Sequence, residues 1–152
     1  MTSILVAGIG SPHGHDLAGW LVIDTLEKDL QPYPSPTVLY VKLQTPMGLL
    51  DGAELGSETG CNKEQVWILI DACIGLDPGA VHRWRWPEMP KEFAAKSSTH
   101  ALGLIDTLQL AESLGILAKE VWIYGVSVED LQASVGLCKD LIGQDIVKLL
   151  AQ

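Results

Sequence analysis

The chain has 152 residues, 47% of them hydrophobic, with 19 acidic against 10 basic side chains and a net charge of −9. That length suits one domain, taken as residues 1–152, able to bury roughly two-thirds of its unfolded surface without a disulfide staple. An acidic chain with no Lys/Arg cluster is a poor partner for nucleic acid. No apolar run approaches the ~20 residues of a membrane span, and Met1-Thr2-Ser3 leads straight into a strand; a cytoplasmic protein with no membrane insertion is expected.

Residues 4–9 form a short apolar run rich in β-formers, and a 3.6-residue period starts only after Asp16, with Ala18, Leu21, Val22 and Leu26 on one face. Between them lies a glycine-punctuated loop, Gly10-Ser11-Pro12-His13-Gly14-His15. Pro32 and Pro34 end the helix soon after Leu30. Thr37–Leu43 is the second strand, and Gln44-Thr45-Pro46 is expected to open a helix running through Leu49, Leu50 and Leu55. Val66–Asp71 is the third strand, apolar on both faces until its last residue. After a turn-rich loop, Ala80–Trp86 alternates strictly with its arginines on one face, the pattern of a half-exposed, antiparallel edge strand. A helix is expected from near His100, capped by Ser97, Ser98 or Thr99 and stopped by Gly115. Val121–Val126 is the last strand, and the C-terminal helix turns Cys138, Leu141, Ile142, Ile146 and Leu149 inward.

Strands alternating with helices over short connections predict a three-layer α/β domain: a mostly parallel, open sheet of about five strands, helices on both faces, and 80–86 as the antiparallel edge. In such a fold ligands bind at the carboxyl ends of the strands. Asp16 after the first strand, Asp71 at the end of the third and His100 at a helix start all belong to that edge. Two carboxylates and an imidazole can hold a divalent transition metal while leaving coordination positions open. Asp16 also suits a helix cap, and His100 a first-turn position. Asp71 is harder to place structurally, because a buried carboxylate must be paired, capping or ligating. His13 and His15 are weaker ligand candidates, His15 ahead because it neighbours Asp16; His82 reads as structural.

Cys61, Cys73 and Cys138 have neither the number nor the spacing of a disulfide framework or a zinc site. Cys73 is the one that a nucleophilic role would fit, two residues past the expected strand end. Gly8-Ile9-Gly10 begins a dinucleotide fingerprint, but His13 replaces its third glycine and Lys42-Leu43-Gln44 replaces the acidic ribose binder. No Gly-Lys-Ser/Thr phosphate loop and no Gly-x-Ser-x-Gly nucleophile turn is present.

Four segments in order carry a resemblance: Ile4–Gly19; Leu69-Ile70-Asp71-Ala72; Ser98-Thr99-His100-Ala101-Leu102-Gly103-Leu104; and Tyr124-Gly125-Val126 followed by Ser134-Val135-Gly136-Leu137. Along nearly its whole length the chain resembles the hydrogenase maturation proteases, endopeptidases that trim the C-terminal extension from the large subunit of nickel–iron hydrogenases. The resemblance implies that Asp16, Asp71 and His100 are both metal-binding and catalytic. It also implies that nickel arrives with the partner, the large-subunit precursor, so that cleavage reports completed assembly. Ser11 stands where the family commonly has Asn, and His15 where it has the first Asp of a pair. Lys42-Leu43-Gln44-Thr45-Pro46 replaces a common Asp-Gly-Gly-Thr. A non-hydrolytic metal-binding maturation chaperone of the same fold is the alternative.

Overall fold

The computed structural model describes residues 3–11, 14, 17–29, 38–51, 64–90 and 103–151. Its strands are β1 (Ser3–Ile9), β2 (Val38–Leu43), β3 (Gln65–Cys73), β4 (Val81–Arg85) and β5 (Glu120–Ser127). They make one five-stranded sheet in the order β2-β1-β3-β5-β4, parallel except for β4, which runs antiparallel to β5 at the edge. Helices α1 (Leu17–Asp29) and α3 (Leu131–Leu150) cover one face, where Ile4, Val6, Ile68 and Ile70 meet Val22, Ile23, Ile142 and Ile146. Helix α2 (Leu104–Ser113) and a 3-10 helix (Pro46–Leu50) cover the other, where Leu5, Ala7, Trp67 and Leu69 meet Leu49, Leu104 and Leu108. Burial on both faces is why β1 and β3 read as unbroken apolar runs. The expected three-layer α/β architecture and its antiparallel edge strand are both present.

Three boundaries differ from the sequence expectation. The helix expected over 44–55 is one 3-10 turn, Pro46–Leu50, closed where the Asp51 amide donates to the Gly48 carbonyl; residues 52–63 lie outside the described set. β3 runs two residues past Asp71, because Ala72 and Cys73 still pair with Val126 and Ser127. Helix α2 starts at Leu104, four residues past His100, and its N-cap is Gly103, whose carbonyl accepts from the Thr107 amide at 3.0 Å and the Thr107 hydroxyl at 3.1 Å; His100 and the cap candidates Ser97, Ser98 and Thr99 lie outside the described residues. Its end matches expectation: Gly115 at φ +72° lets its own amide reach Glu112 O and the Ile116 amide reach Ala111 O, the left-handed closure that a side chain would strain.

Two contacts fix the α1/α3 face. The first is a backbone-on-backbone approach between β1 and the first turn of α1. A methyl on Gly8 would lie 2.4 Å from the Gly19 carbonyl oxygen, and one on Gly19 would lie 2.7 Å from Ile9 O and 2.9 Å from Ile70 O. The start of α1 therefore rests directly on the carboxyl ends of β1 and β3. The Trp20 indole and the Gly10 amide both donate to Leu43 O, at 3.2 and 2.9 Å, tying the same corner to β2.

The second contact holds the edge. Arg83 donates from Nε to Asp145 of α3 at 3.0 Å and stacks 3.7 Å from the Trp122 ring centroid, and the buried Tyr124 hydroxyl donates to the same carboxylate. Burial, and then the hydrogen bond and charge of Asp145, push the Tyr124 hydroxyl above the usual tyrosine range, opposed by Arg83. Arg85 also lies over Trp122. Arg83 and Arg85 thus lie against α3 and β5 of their own chain while remaining exposed.

Gly19→Ala should lower stability by about 1–3 kcal/mol through overpacking, read as a reduced urea midpoint at unchanged slope. A second expectation concerns pH. A tyrosine whose folded pKa is raised adds stability that is complete below the unfolded value and is lost as pH rises beyond it. Unfolding free energy should therefore fall above about pH 10 by up to about 1.4 kcal/mol per pH unit from this group, and Tyr124→Phe should remove that component; an identical slope in the variant would refute the assignment.

Candidate functional site

The site is built on one row of the sheet. Register pairs Leu43 with Ile9, Ile9 with Asp71, Asp71 with Gly125 and Gly125 with His82, so one line of residues crosses all five strands near their carboxyl edge. Neighbours in register share a face, and alternation along β3 sets Asp71 with Trp67, Leu69 and Cys73 on the side covered by α2. Asp71 is 1% exposed. Its flank in the row is Ile9 on the β1 side and a glycine on the β5 side. A carboxylate taken this far from water costs several kcal/mol unless charge, hydrogen bonds or a metal compensate it, which is the environment of a working group more than of a solvated surface acid.

Of the three candidate ligands, Asp71 lies in the described structure, and Asp16 and His100 lie outside the described residues, as do His13 and His15. Leu17, the residue after Asp16, opens α1, whose first turn rests on Ile9 and Ile70, the residue before Asp71. Gly103 caps α2, which packs against the 3-10 helix that follows β2. Among the described residues no group of three or more His, Cys, Asp or Glu could hold a metal ion. The chemistry of the proposed donors, two carboxylates and one imidazole, fits a borderline divalent ion of the first transition row.

Other candidates take structural positions. Cys73 is fully buried as the last residue of β3, where the sequence had placed it two residues past the strand end; an enclosed thiol is a packing residue and not a nucleophile. Cys138 is buried in α3, with burial pushing its thiol well above the usual range. His82 is exposed and its ring packs 5.7 Å from that of Trp84. Two open clefts of about 730 Å³ lie away from Asp71, one along α3 by Asp29 and Lys139, the other between Trp86–Pro90 and α2. No helix among the described residues is long and apolar enough to cross a membrane. The glycine contacts at Gly8, Gly19 and Gly125 escaped the sequence reading, which had weighed Gly8-Ile9-Gly10 only as a fragment of a nucleotide loop.

Comparison with known proteins gives a consistent result. Residues 58–151 match the family model described as hydrogenase maturation protease. The chain is 33% identical over 140 residues to the hydrogenase 2 maturation protease of Escherichia coli, covering 88% of this chain and 78% of that protein. Among solved structures it is similar to the hydrogenase maturating endopeptidase HybD from E. coli, with a TM-score of 0.73 at 22% identity, covering 96% of this chain and 93% of that one. The [NiFe] hydrogenase maturation protease HybD from Thermococcus kodakarensis superposes with a TM-score of 0.62 at 20% identity, over 93% and 97% of the two chains.

Proposed function

Given that the chain belongs to the hydrogenase maturation protease family, we propose that it removes the C-terminal extension of a nickel–iron hydrogenase large-subunit precursor after nickel insertion, through Asp16, Asp71 and His100. In this reading the whole chain, 1–152, works as one domain in the cytoplasm. The observation that carries the site is the buried carboxylate of Asp71, near the carboxyl end of a central strand and on the sheet face that α2 covers.

Nickel enters as part of the substrate. Asp16, Asp71 and His100 contact it there, so that only a loaded precursor is gripped productively. The ion supplies Lewis-acid polarisation of the scissile carbonyl. A carboxylate of Asp16 or Asp71 that remains outside this contact acts as general base, taking a proton from the water that attacks the carbonyl carbon; the C–N bond then breaks and that proton passes to the leaving amine. Burial suits Asp71 to the task, since packing on both sides of β3 limits its movement and low dielectric strengthens its interaction with a cation.

Asp71→Asn and His100→Ala should keep their circular dichroism spectra and lose precursor processing on the order of 100-fold or more, read as the mobility shift of a nickel-loaded large subunit and the mass of its trimmed product. Full processing by both variants would remove the site. Binding of the loaded precursor by the native chain, with no trimmed product by mass spectrometry, would replace the protease with the non-hydrolytic chaperone that Ser11 and His15 suggest.

A further inference from the structure

Asp71 faces a position on β5 that has no side chain, and that vacancy is closely filled from both sides. A methyl built on Gly125 would lie 2.8 Å from Cys73 Sγ, 3.0 Å from Trp84 Cζ3 and 3.2 Å from Trp84 Cη2. Cys73 comes from β3, two residues beyond Asp71 and on the same face; Trp84 comes from the edge strand, where it pairs with Ile123. A thiol from one neighbouring strand and an indole edge from the other thus converge over Gly125.

Cys73 has little room to yield, and Trp84 is half-buried on the edge strand. Cys73 is fully buried and has a single side-chain torsion, its backbone pairs with Ser127, and its carbonyl accepts from the Val128 amide at 3.3 Å. Trp84 is a rigid ring packed on the α2-side core, on the strand that Arg83 clamps to Asp145. A side chain at 125 must therefore displace the end of β3 relative to β5, and Asp71 is the residue of β3 in register with the point of displacement.

We infer that Gly125 is a positioning residue for Asp71: with no side chain of its own, it admits Cys73 and Trp84 to the row and through them sets where the Asp71 carboxylate stands. This gives Cys73 a role that needs no reactivity, and it explains why Tyr124-Gly125-Val126 belongs among the segments that define the chain. It rests on the reading of Asp71 as a site residue. Displacements of about 1 Å at a reacting centre can cost on the order of 100-fold in rate.

The test measures processing of the nickel-loaded precursor, together with Ni2+ binding by calorimetry, for Gly125→Ala, Cys73→Ala and the double variant. Gly125→Ala is expected to lower kcat about 10- to 100-fold with KM nearly unchanged and to weaken Ni2+ binding. Cys73→Ala, which leaves only a small gap, is expected to lower kcat no more than about threefold. The double variant, with the thiol no longer opposing the new methyl, is expected to recover most of the lost kcat and Ni2+ affinity. Native kcat in Gly125→Ala, or a folded double variant no better than the single one, overturns the inference. If Gly125→Ala does not fold, the double variant reads the same contact: a folded double variant with most of the native kcat supports the inference, and one that fails to fold or keeps a kcat loss of about 10-fold or more overturns it. Asp71→Asn, run beside them, separates the two readings. Full activity there sinks the site itself, whereas an inactive Asp71→Asn with native Gly125→Ala sinks only the positioning role.

Discussion

The approach of Gly19 to the ends of β1 and β3 is the contact on which the rest of this structure turns. A helix following a parallel strand ordinarily stands off the sheet by the thickness of its side chains. Here the first turn of α1 comes down to the backbone, within 3 Å of Ile9 O and Ile70 O for any methyl placed on Gly19. Gly8 accommodates the helix from below. Because Ile70 immediately precedes Asp71, the contact joins the N-terminal end of α1 to the strand that carries the buried carboxylate. The same first turn is tied to β2 through Trp20 and Leu43, so three adjacent strands share a single anchoring corner.

The far side of the sheet is held by different means. β4 has one neighbour and short length, and an edge strand of that kind is prone to fray or to pair with another chain. Arg83, Asp145, Tyr124 and Trp122 prevent this by fastening it to α3 through an ion pair, a hydrogen bond and a stacked guanidinium. With its odd-numbered face committed to α3, β4 presents Trp84 to the other face, where the ring reaches Gly125. Missing side chains at Gly8, Gly19 and Gly125 let backbone, a thiol and an indole ring close on the carboxyl edge and narrow the positions its backbone can take.

Much of the fold was legible before any coordinates. Both-face burial of β1, β3 and β5 follows from apolar runs with no alternation, and β4 from strict alternation in 80–86, including its antiparallel, edge position. The misread boundaries share one cause. Leu49, Leu50 and Leu55 keep helical spacing, yet the described turn is a 3-10 helix over Pro46–Leu50; helix α2 starts where its first leucine, Leu104, reaches the core, with Gly103 as its cap. Local propensity proposes such ends and tertiary packing disposes of them. Cys73 was misplaced for the same reason: only the pairing of β5 beyond Gly125 keeps β3 extended past its charged residue.

The sequence by itself determined the family, the layer order of the fold and the type of residue at each candidate ligand position, because hydrophobic period and short motifs are local and survive in one dimension. It also singled out Asp71, since a carboxylate at the end of an apolar run has few inexpensive fates. Tertiary structure alone decided which residues stand beside that carboxylate. Ile9 and Gly125 flank it from β1 and β5, and Cys73 and Trp84 close over Gly125; their meeting depends on register and on an absent side chain, neither of which leaves a periodic trace in the chain.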